Sequence, residues 1–339
     1  MTAVFEYKSA DGPDAWDSDL LSLGGHPHPL QSAAFGAFLR ADMGRAGYVR
    51  IFRDSRLAGM CVLGIDSPGA GTWYHGPHAP GAAPEEYCDM FSGLMGHLQK
   101  RGLTAVAAAS SQLVCDATYY SDPAAPPFHE IEETAYLDLR VPPDDMLAGF
   151  DRSVRKNVRK CAGAGVEIII SSEPEYLAKY FELLAAHRQK LNFPLPPFYV
   201  NAQTAPLFNR EACGMNVALA SVQGEFIAGL GYVHFGAMVM EAGVGQSDGY
   251  ASYGLNAHDM IKVEAARHFS SMGLAYYDLA GVSRNADDAK EANIRRFKMK
   301  FATGVARFGS VKNVCFSPTK YYARKIAGRV LDAANLRRK

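Results

Sequence analysis

Five cations fall within nine residues of the segment Arg152-Ser153-Val154-Arg155-Lys156-Asn157-Val158-Arg159-Lys160. On a helix Arg152, Arg155, Lys156, Arg159 and Lys160 share one face, while Val154, Val158 and Cys161 share another. Like charges three and four residues apart repel, so the stripe favours an anionic partner such as a phosphate backbone; the alternative is a solvated basic face without a partner. A second constellation begins at Asp278, inside the apolar run Tyr276-Tyr277-Asp278-Leu279-Ala280-Gly281-Val282. A polar stretch separates it from Arg295-Arg296-Phe297-Lys298-Met299-Lys300-Phe301. A carboxylate at the end of a strand, facing a cationic helix or loop, is a usual way to build a site in α/β folds, and a structural salt bridge explains the pair almost as well.

Other reactive residue types carry weaker patterns. His26, His28, His75 and His78 lie in Gly/Pro-rich loops whose spacing could ligate a metal, but no carboxylate pattern accompanies them, and no metal is expected. The six cysteines are scattered without a CxxC or Cys/His spacing, so neither disulfides nor a structural metal is expected, and Cys161 and Cys213 lack a nucleophile's surroundings. The run Lys160-Cys161-Ala162-Gly163-Ala164-Gly165 resembles the phosphate loop of coenzyme A-dependent GNAT acetyltransferases, but it closes a basic helix and precedes a strand, which fits a helix C-cap better.

These residues must be held by strands and helices that alternate along the chain. Apolar runs at residues 48–52, 59–64, 104–108 and 134–139 read as strands. Glu85 to Arg101 reads as a helix, with Tyr87, Met90, Phe91, Leu94, Met95 and Leu98 at helical spacing and Gly102 as its stop. The second half repeats the scheme: strands at 166–170, 216–222, 226–235, 237–243 and 275–279, and helices at about 174–190 and 256–272. Two mixed α/β halves in tandem are the simplest account of 339 residues. Val141-Pro142-Pro143-Asp144-Asp145 is the expected break, with Asp144 or Asp145 capping the helix that follows; the Pro-rich stretch 193–198 reads as a surface loop beside a site.

A formal net charge of zero conceals a division: residues 1–150 hold 9 Lys/Arg and 19 Asp/Glu, net −10, and residues 151–339 hold 26 and 16, net +10. A basic half beside an acidic one points to a polyanion as the partner of the basic half. No apolar stretch approaches the roughly 20 residues of a bilayer span, and the N-terminal residues lack a signal peptide's basic and apolar regions, so a cytoplasmic location is expected.

Several short motifs, in order, resemble the FemABX peptidyltransferases. They are Leu30-Gln31-Ser32 with Phe35 and Phe38, Tyr74-His75-Gly76-Pro77, Leu137-Asp138-Leu139 followed by the Arg-rich helix and Gly165-Val166, Tyr277-Asp278-Leu279-Ala280-Gly281 where the family has Tyr-Asp-Phe-Gly-Gly, and Phe297-Lys298 with Phe301. Departures are Phe35 where Trp is usual and Glu241 to Ser247 where the family has Tyr-x-x-Gly-Ala-Ser; the stretch 171–215 is too short for the long helical hairpin of some members.

The resemblance implies an α/β (α+β) fold of two tandem GNAT-like acyltransferase domains with mixed sheets: residues 1–145, completed by 311–339, and residues 146–310. It implies an aminoacyltransferase that moves an aminoacyl group from aminoacyl-tRNA to an amine, forming a peptide bond in peptidoglycan-precursor or natural-product synthesis. The expected partners are charged tRNA and an amine-bearing small molecule, peptide or peptidoglycan precursor, with no integral membrane contact; the expected state is a monomer with no cofactor beyond the aminoacyl-tRNA co-substrate. By the same resemblance Lys298 serves the oxyanion or the tRNA 3′ end, and Asp278 orients that lysine or receives the amine proton. Arg152, Arg155, Lys156, Arg159 and Lys160 contact tRNA, Phe297 either stacks on its terminal adenine or is a buried aromatic, and Arg188 and Tyr253 contact the acceptor. Two other readings remain open at this point: an acyl-CoA-dependent N-acyltransferase of the same fold, and a non-catalytic RNA-binding protein.

Overall fold

The computed structural model describes residues 4–10, 12–66, 69–111, 128–192, 201–283 and 289–326, so the stretch 193–198 lies outside the described residues. The chain divides into two compact units, Met1–Glu132 with Ala306–Lys339, and Glu133–Val305. The first passage through the first unit contains β1 (Phe5–Ala10), α1 (Trp16–Ser22), α2 (Ala33–Met43), β2 (Arg45–Arg53), β3 (Arg56–Ile65), β4 (Ala70–Trp73), α3 (Pro84–Lys100) and β5 (Ala105–Ala109). Next come β6 (Glu130–Asp138), α4 (Pro143–Gly149), α5 (Arg152–Gly163), β7 (Val166–Ser171), α6 (Pro174–Leu191), β8 (Cys213–Val222), β9 (Glu225–Phe235) and β10 (Met238–Gln246). They are followed by α7 (Ala257–Ser271), β11 (Tyr276–Val282), α8 (Ala289–Met299) and β12 (Gly304–Cys315). Each strand and helix expected from apolar patterning is present. The capping expectation fails, because α4 starts at Pro143 with Pro142 as its N-cap, upstream of Asp144 and Asp145.

Both units use one scheme. In the first the strand order is β1-β2-β3-β4-β5-β12, antiparallel except for the parallel pair β4-β5. In the second it is β7-β8-β9-β10-β11-β6, antiparallel except for the parallel pair β10-β11. A parallel neighbour requires a crossover, supplied by α3 in one unit and α7 in the other. The last strand of each sheet is not the chain neighbour of the fifth: β6 follows β5 yet pairs with β11, and β12 follows β11 yet pairs with β5.

Local chemistry fixes the hairpins. The β2–β3 turn Asp54-Ser55 and the β8–β9 turn Gln223-Gly224 place both central residues at positive φ, the two-residue geometry whose twist matches that of paired strands. In the first unit α3 lays Tyr87, Met90, Phe91, Leu94 and Leu98 over Val49, Ile51, Leu63 and Trp73. The Gln31 carboxamide joins separate elements, donating to the Tyr74 carbonyl at 2.6 Å and accepting from the Val62 amide at 2.9 Å. A Cβ at Gly76 would lie 2.7 Å from that carboxamide, so Leu30-Gln31-Ser32 and Tyr74-His75-Gly76-Pro77 form one structural bracket. In the second unit α7 buries Ile261, Ala265, Ala266 and Phe269 against Tyr232 and Tyr277, and α5 inserts Val154 and Cys161 into the same core.

One buried histidine in each unit makes stability depend on pH. His78, with Nε2 2.9 Å from the Gly24 carbonyl, and His258, with Nε2 3.2 Å from the Gly245 carbonyl, are each lowered from 6.5 to about 4, chiefly by burial. The unfolded chain takes up these protons near pH 6.5 and the folded chain near pH 4. Between those values the unfolded state binds more protons, so stability falls as pH drops through the window, by on the order of 3 kcal/mol per histidine. Urea unfolding from pH 7 to pH 4 measures the slope, and His258→Gln is expected to flatten it; an unchanged slope would refute the assignment.

Candidate active site

α7 carries a lysine at a core position. The inward positions of this helix recur as His258, Ile261, Lys262, Ala265, Ala266 and Phe269. The Lys262 side chain is 2 % exposed and forms an ion pair with Glu241 of β10, 8 % exposed. Two buried charges are tolerable only when paired and hydrogen-bonded, and the surroundings meet that condition. The Tyr277 hydroxyl of β11 donates to Glu241 Oε1 at 2.6 Å and lies 3.3 Å from the Tyr232 hydroxyl of β9. Lys262 Nζ stands 5.6 Å from the ring centroid of Phe297, 5.7 Å from that of Phe301 and 5.9 Å from that of Tyr277, within cation–π range of all three. Burial first, and then the Glu241 charge, pushes both tyrosine hydroxyls well above their ordinary pKa, so both remain neutral donors.

The backbone opens beside this cluster. β10 and β11 pair in parallel from Met238↔Tyr276 to Met240↔Asp278, where the register ends. Beyond that point β10 is irregular at Glu241/Gly243 and β11 at Asp278/Gly281, so the two parallel strands part there. Asp278, buried, braces the irregularity: its Oδ1 accepts from Thr134 Oγ1 at 2.5 Å and from the Ala280 amide at 2.8 Å. Ala280 sits at φ 67, a left-handed conformation that glycine adopts without strain, which gives a physical reason for glycine at the matching position of the FemABX motif.

α8 brings Lys298 to the parted strands. No residue of this helix is fully buried, and polar contacts anchor it. Arg295 Nη1 lies 2.8 Å from Glu133 Oε2 and donates to the Ser283 carbonyl at 3.0 Å, while Lys298 Nζ donates to the Gly281 carbonyl of β11 at 2.8 Å. Burial lowers the Lys298 pKa and the Lys262 charge adds to that, whereas Glu241 and Asp278 oppose it. An ammonium on backbone at a strand opening can donate to a developing oxyanion, and its lowered pKa eases proton exchange.

The structure thus brings Lys298, Asp278 and Phe297 together. Phe297 is a wall of the Lys262 cage, packed edge to face with Phe301 at a ring-centroid separation of 5.7 Å. Tyr253 donates to Glu225 Oε2 at 2.7 Å from a short helical turn, Tyr250–Tyr253, and Arg188 is half-buried in the last turn of α6. The basic stripe is real as a helix face but not uniform. Arg155 donates to the carbonyls of Ala148 and Phe150 at 2.6 and 2.7 Å, and Lys160 to that of Gly254 at 2.7 Å. Arg152, Lys156 and Arg159 are exposed. Asn157 ties the helix to α7 through Asp259 Oδ2 at 2.7 Å, and burial raises the Asp259 pKa. Glu241, Lys262, Tyr232 and the role of Tyr277 escaped sequence reasoning, although a lysine at an inward helical position was a usable signal.

No family model matches the sequence, and no curated protein matches it. Solved structures do. The chain is similar to the crystal structure of FemX, with TM-score 0.69 and 12% identity over 93% of this chain and 99% of that one. It is also similar to a conserved protein of unknown function from Bacteroides thetaiotaomicron, with TM-score 0.61 and 11% identity over 91% and 100% of the two chains. L-PGS from Bacillus licheniformis matches with TM-score 0.55 and 13% identity over 89% and 92%. At these identities the likeness is one of fold: the chain has a FemABX-like, mixed α/β fold. Among the described residues no helix is long and apolar enough to cross a membrane.

Proposed function

We propose that this chain is an acyltransferase that moves an aminoacyl group from aminoacyl-tRNA to an amine. The observation that carries the reading is Lys298, held on the Gly281 carbonyl where β10 and β11 part, within the fields of Glu241, Lys262 and Asp278. The ordered motifs and the likeness to FemX support the same reading.

An aminoacyl ester is already activated, so little covalent chemistry is asked of the protein. The acceptor nitrogen attacks the ester carbonyl, a C–N bond forms, the C–O bond to the tRNA ribose breaks, and the nitrogen's proton ends on the departing ribose oxygen. Lys298 donates to the oxyanion of the tetrahedral intermediate, which is worth roughly 3 kcal/mol for one well-placed donor. Asp278 acts through its charge, favouring the ammonium form of Lys298. The acceptor is an amine of a peptidoglycan precursor or a small natural-product peptide. No cofactor takes part. The test is to incubate the chain with total tRNA charged with labelled amino acids and with candidate amines; label passing into amide supports the reading, and label remaining on tRNA in every mixture refutes it.

Exposed Arg152, Lys156 and Arg159 are the residues of the stripe offered to tRNA phosphates. Binding is expected to weaken with salt, log K falling by roughly 0.7 to 0.9 per phosphate contacted per log unit. Arg152→Glu with Arg159→Glu is expected to weaken tRNA binding at least tenfold with unchanged unfolding, whereas Arg155→Glu also destabilises, since Arg155 holds the end of α4. Filter binding and urea unfolding separate the two effects.

A further inference from the structure

The first unit contains a cleft that the reaction above does not use. It lies just beyond the end of α3, with a volume of about 470 Å³ and an apolar floor formed by the partly exposed Ile65 and Leu103, beside Val49 and Leu63, which α3 covers. Arg45 of β2, Arg101 just beyond α3 and Arg324 of the helical stretch 318–326 stand around it. Among the described residues, none lining the cleft carries a carboxylate or an aromatic ring. Two of the three, Arg45 and Arg101, come from the 9 Lys/Arg of residues 1–150, a stretch with a net charge of −10. Neighbouring groups register the positive field: the His97 imidazole, bonded to Ser9 Oγ at 2.8 Å, is held below its ordinary pKa by burial and then by Arg101 and Lys100. A Cβ at Gly69 would meet the Arg324 guanidinium at 2.6 Å, so the glycine there lets that arginine lie against the loop.

We infer that this arginine-rimmed cleft docks the first unit on anionic phospholipid, the guanidinium groups taking the phosphate and the aliphatic floor the start of an acyl chain. Guanidinium groups suit phosphate geometry, and a floor without rings gives a nucleobase nothing to stack on. A separate feature points to the same partner. The helical stretch that supplies Arg324 exposes Tyr322 by 60 % and Ile326 by 62 %, flanked by Lys320 and Lys325. Exposed apolar and aromatic side chains among basic ones are what binds at a membrane interface. Residues 327–339, with Arg329, Arg337, Arg338 and Lys339 against Asp332, are themselves basic, which disfavours them as occupants of a cationic cleft. The contact is peripheral and uses no residue of the candidate active site.

The test is co-sedimentation of the full chain with phosphatidylcholine vesicles, with and without phosphatidylglycerol. The chain is expected to bind the anionic vesicles at least tenfold more tightly than the neutral ones. Each basic residue near an anionic surface contributes about fivefold, so Arg45→Ser with Arg101→Ser is expected to weaken binding by more than tenfold. Ile326→Asp is expected to weaken it as well, and Lys179→Ser, a control in the second unit that breaks only a surface pair with Glu182, to leave it unchanged. Unchanged unfolding curves establish that the variants fold, which the exposure of Arg45 and Arg101 favours. Equal binding to neutral vesicles, or anionic binding that survives loss of both arginines, would overturn the proposal. So would a double variant that loses affinity for RNA and keeps it for vesicles.

Discussion

Lys298→Ala is expected to slow aminoacyl transfer by roughly a hundredfold or more while changing tRNA affinity less than threefold. The asymmetry follows from when the charge is needed. A neutral ester carbonyl gains little from a nearby ammonium, whereas the tetrahedral oxyanion gains the full interaction, so the loss appears in the chemical step and not in ground-state binding. Lys298→Met retains the length and apolar stem of the side chain and removes only the charge and the hydrogen bond to Gly281. It should be as slow as the alanine variant if charge is what matters, and considerably faster if filling space beside Phe297 is what matters. Single-turnover transfer at saturating enzyme, beside equilibrium tRNA binding, separates these outcomes. A rate loss that tracks a loss of tRNA affinity would make Lys298 a binding residue.

Most elements of the fold were legible because they announce themselves locally. The period of α3, closed by Gly102 at φ 90, and the apolar runs of β3 and β9 need no tertiary information. The exchange of β6 and β12 was not legible in local pattern: the family resemblance alone suggested that 311–339 completes the first domain, and nothing in Gly304–Cys315 encodes that its partner is Ala105–Ala109, some two hundred residues earlier. Strand order depends on which sheet edge is available after folding, a property of the assembled unit.

The site shows the same limit. Spacing placed the basic stripe on one helix face, and Val154 and Cys161 are buried beneath it as that spacing requires. Spacing does not distinguish Arg155, turned onto the carbonyls of Ala148 and Phe150, from exposed Arg159, because carbonyl partners are supplied by neighbouring backbone. Glu241 stood out in the sequence only as a departure from the family's Tyr-x-x-Gly-Ala-Ser element. In the folded unit it faces Lys262, and each charge accounts for the other.

That pairing makes the single and double substitutions at Glu241 and Lys262 the sharpest test of the second unit. Lys262→Met leaves a buried carboxylate with Tyr277 as hydrogen-bond donor, and Glu241→Gln leaves a buried ammonium with aromatic rings as its main compensation. Breaking a buried pair by removing one partner costs about 3–5 kcal/mol, so each single variant should lower the unfolding free energy by that order. Removing both charges leaves no uncompensated ion, and the double variant should be more stable than either single one by about 2 kcal/mol or more. A urea-denaturation cycle over the four proteins measures the coupling; costs that simply add would mean the charges do not depend on each other. The same variants displace Lys298 in opposite directions. Lys262 disfavours the ammonium at position 298 and Glu241 favours it, so Lys262→Met should carry the alkaline fall in transfer rate to higher pH, and Glu241→Gln should carry it to lower pH. Shifts of the same sign in both variants would break the link between this buried pair and the lysine beside it.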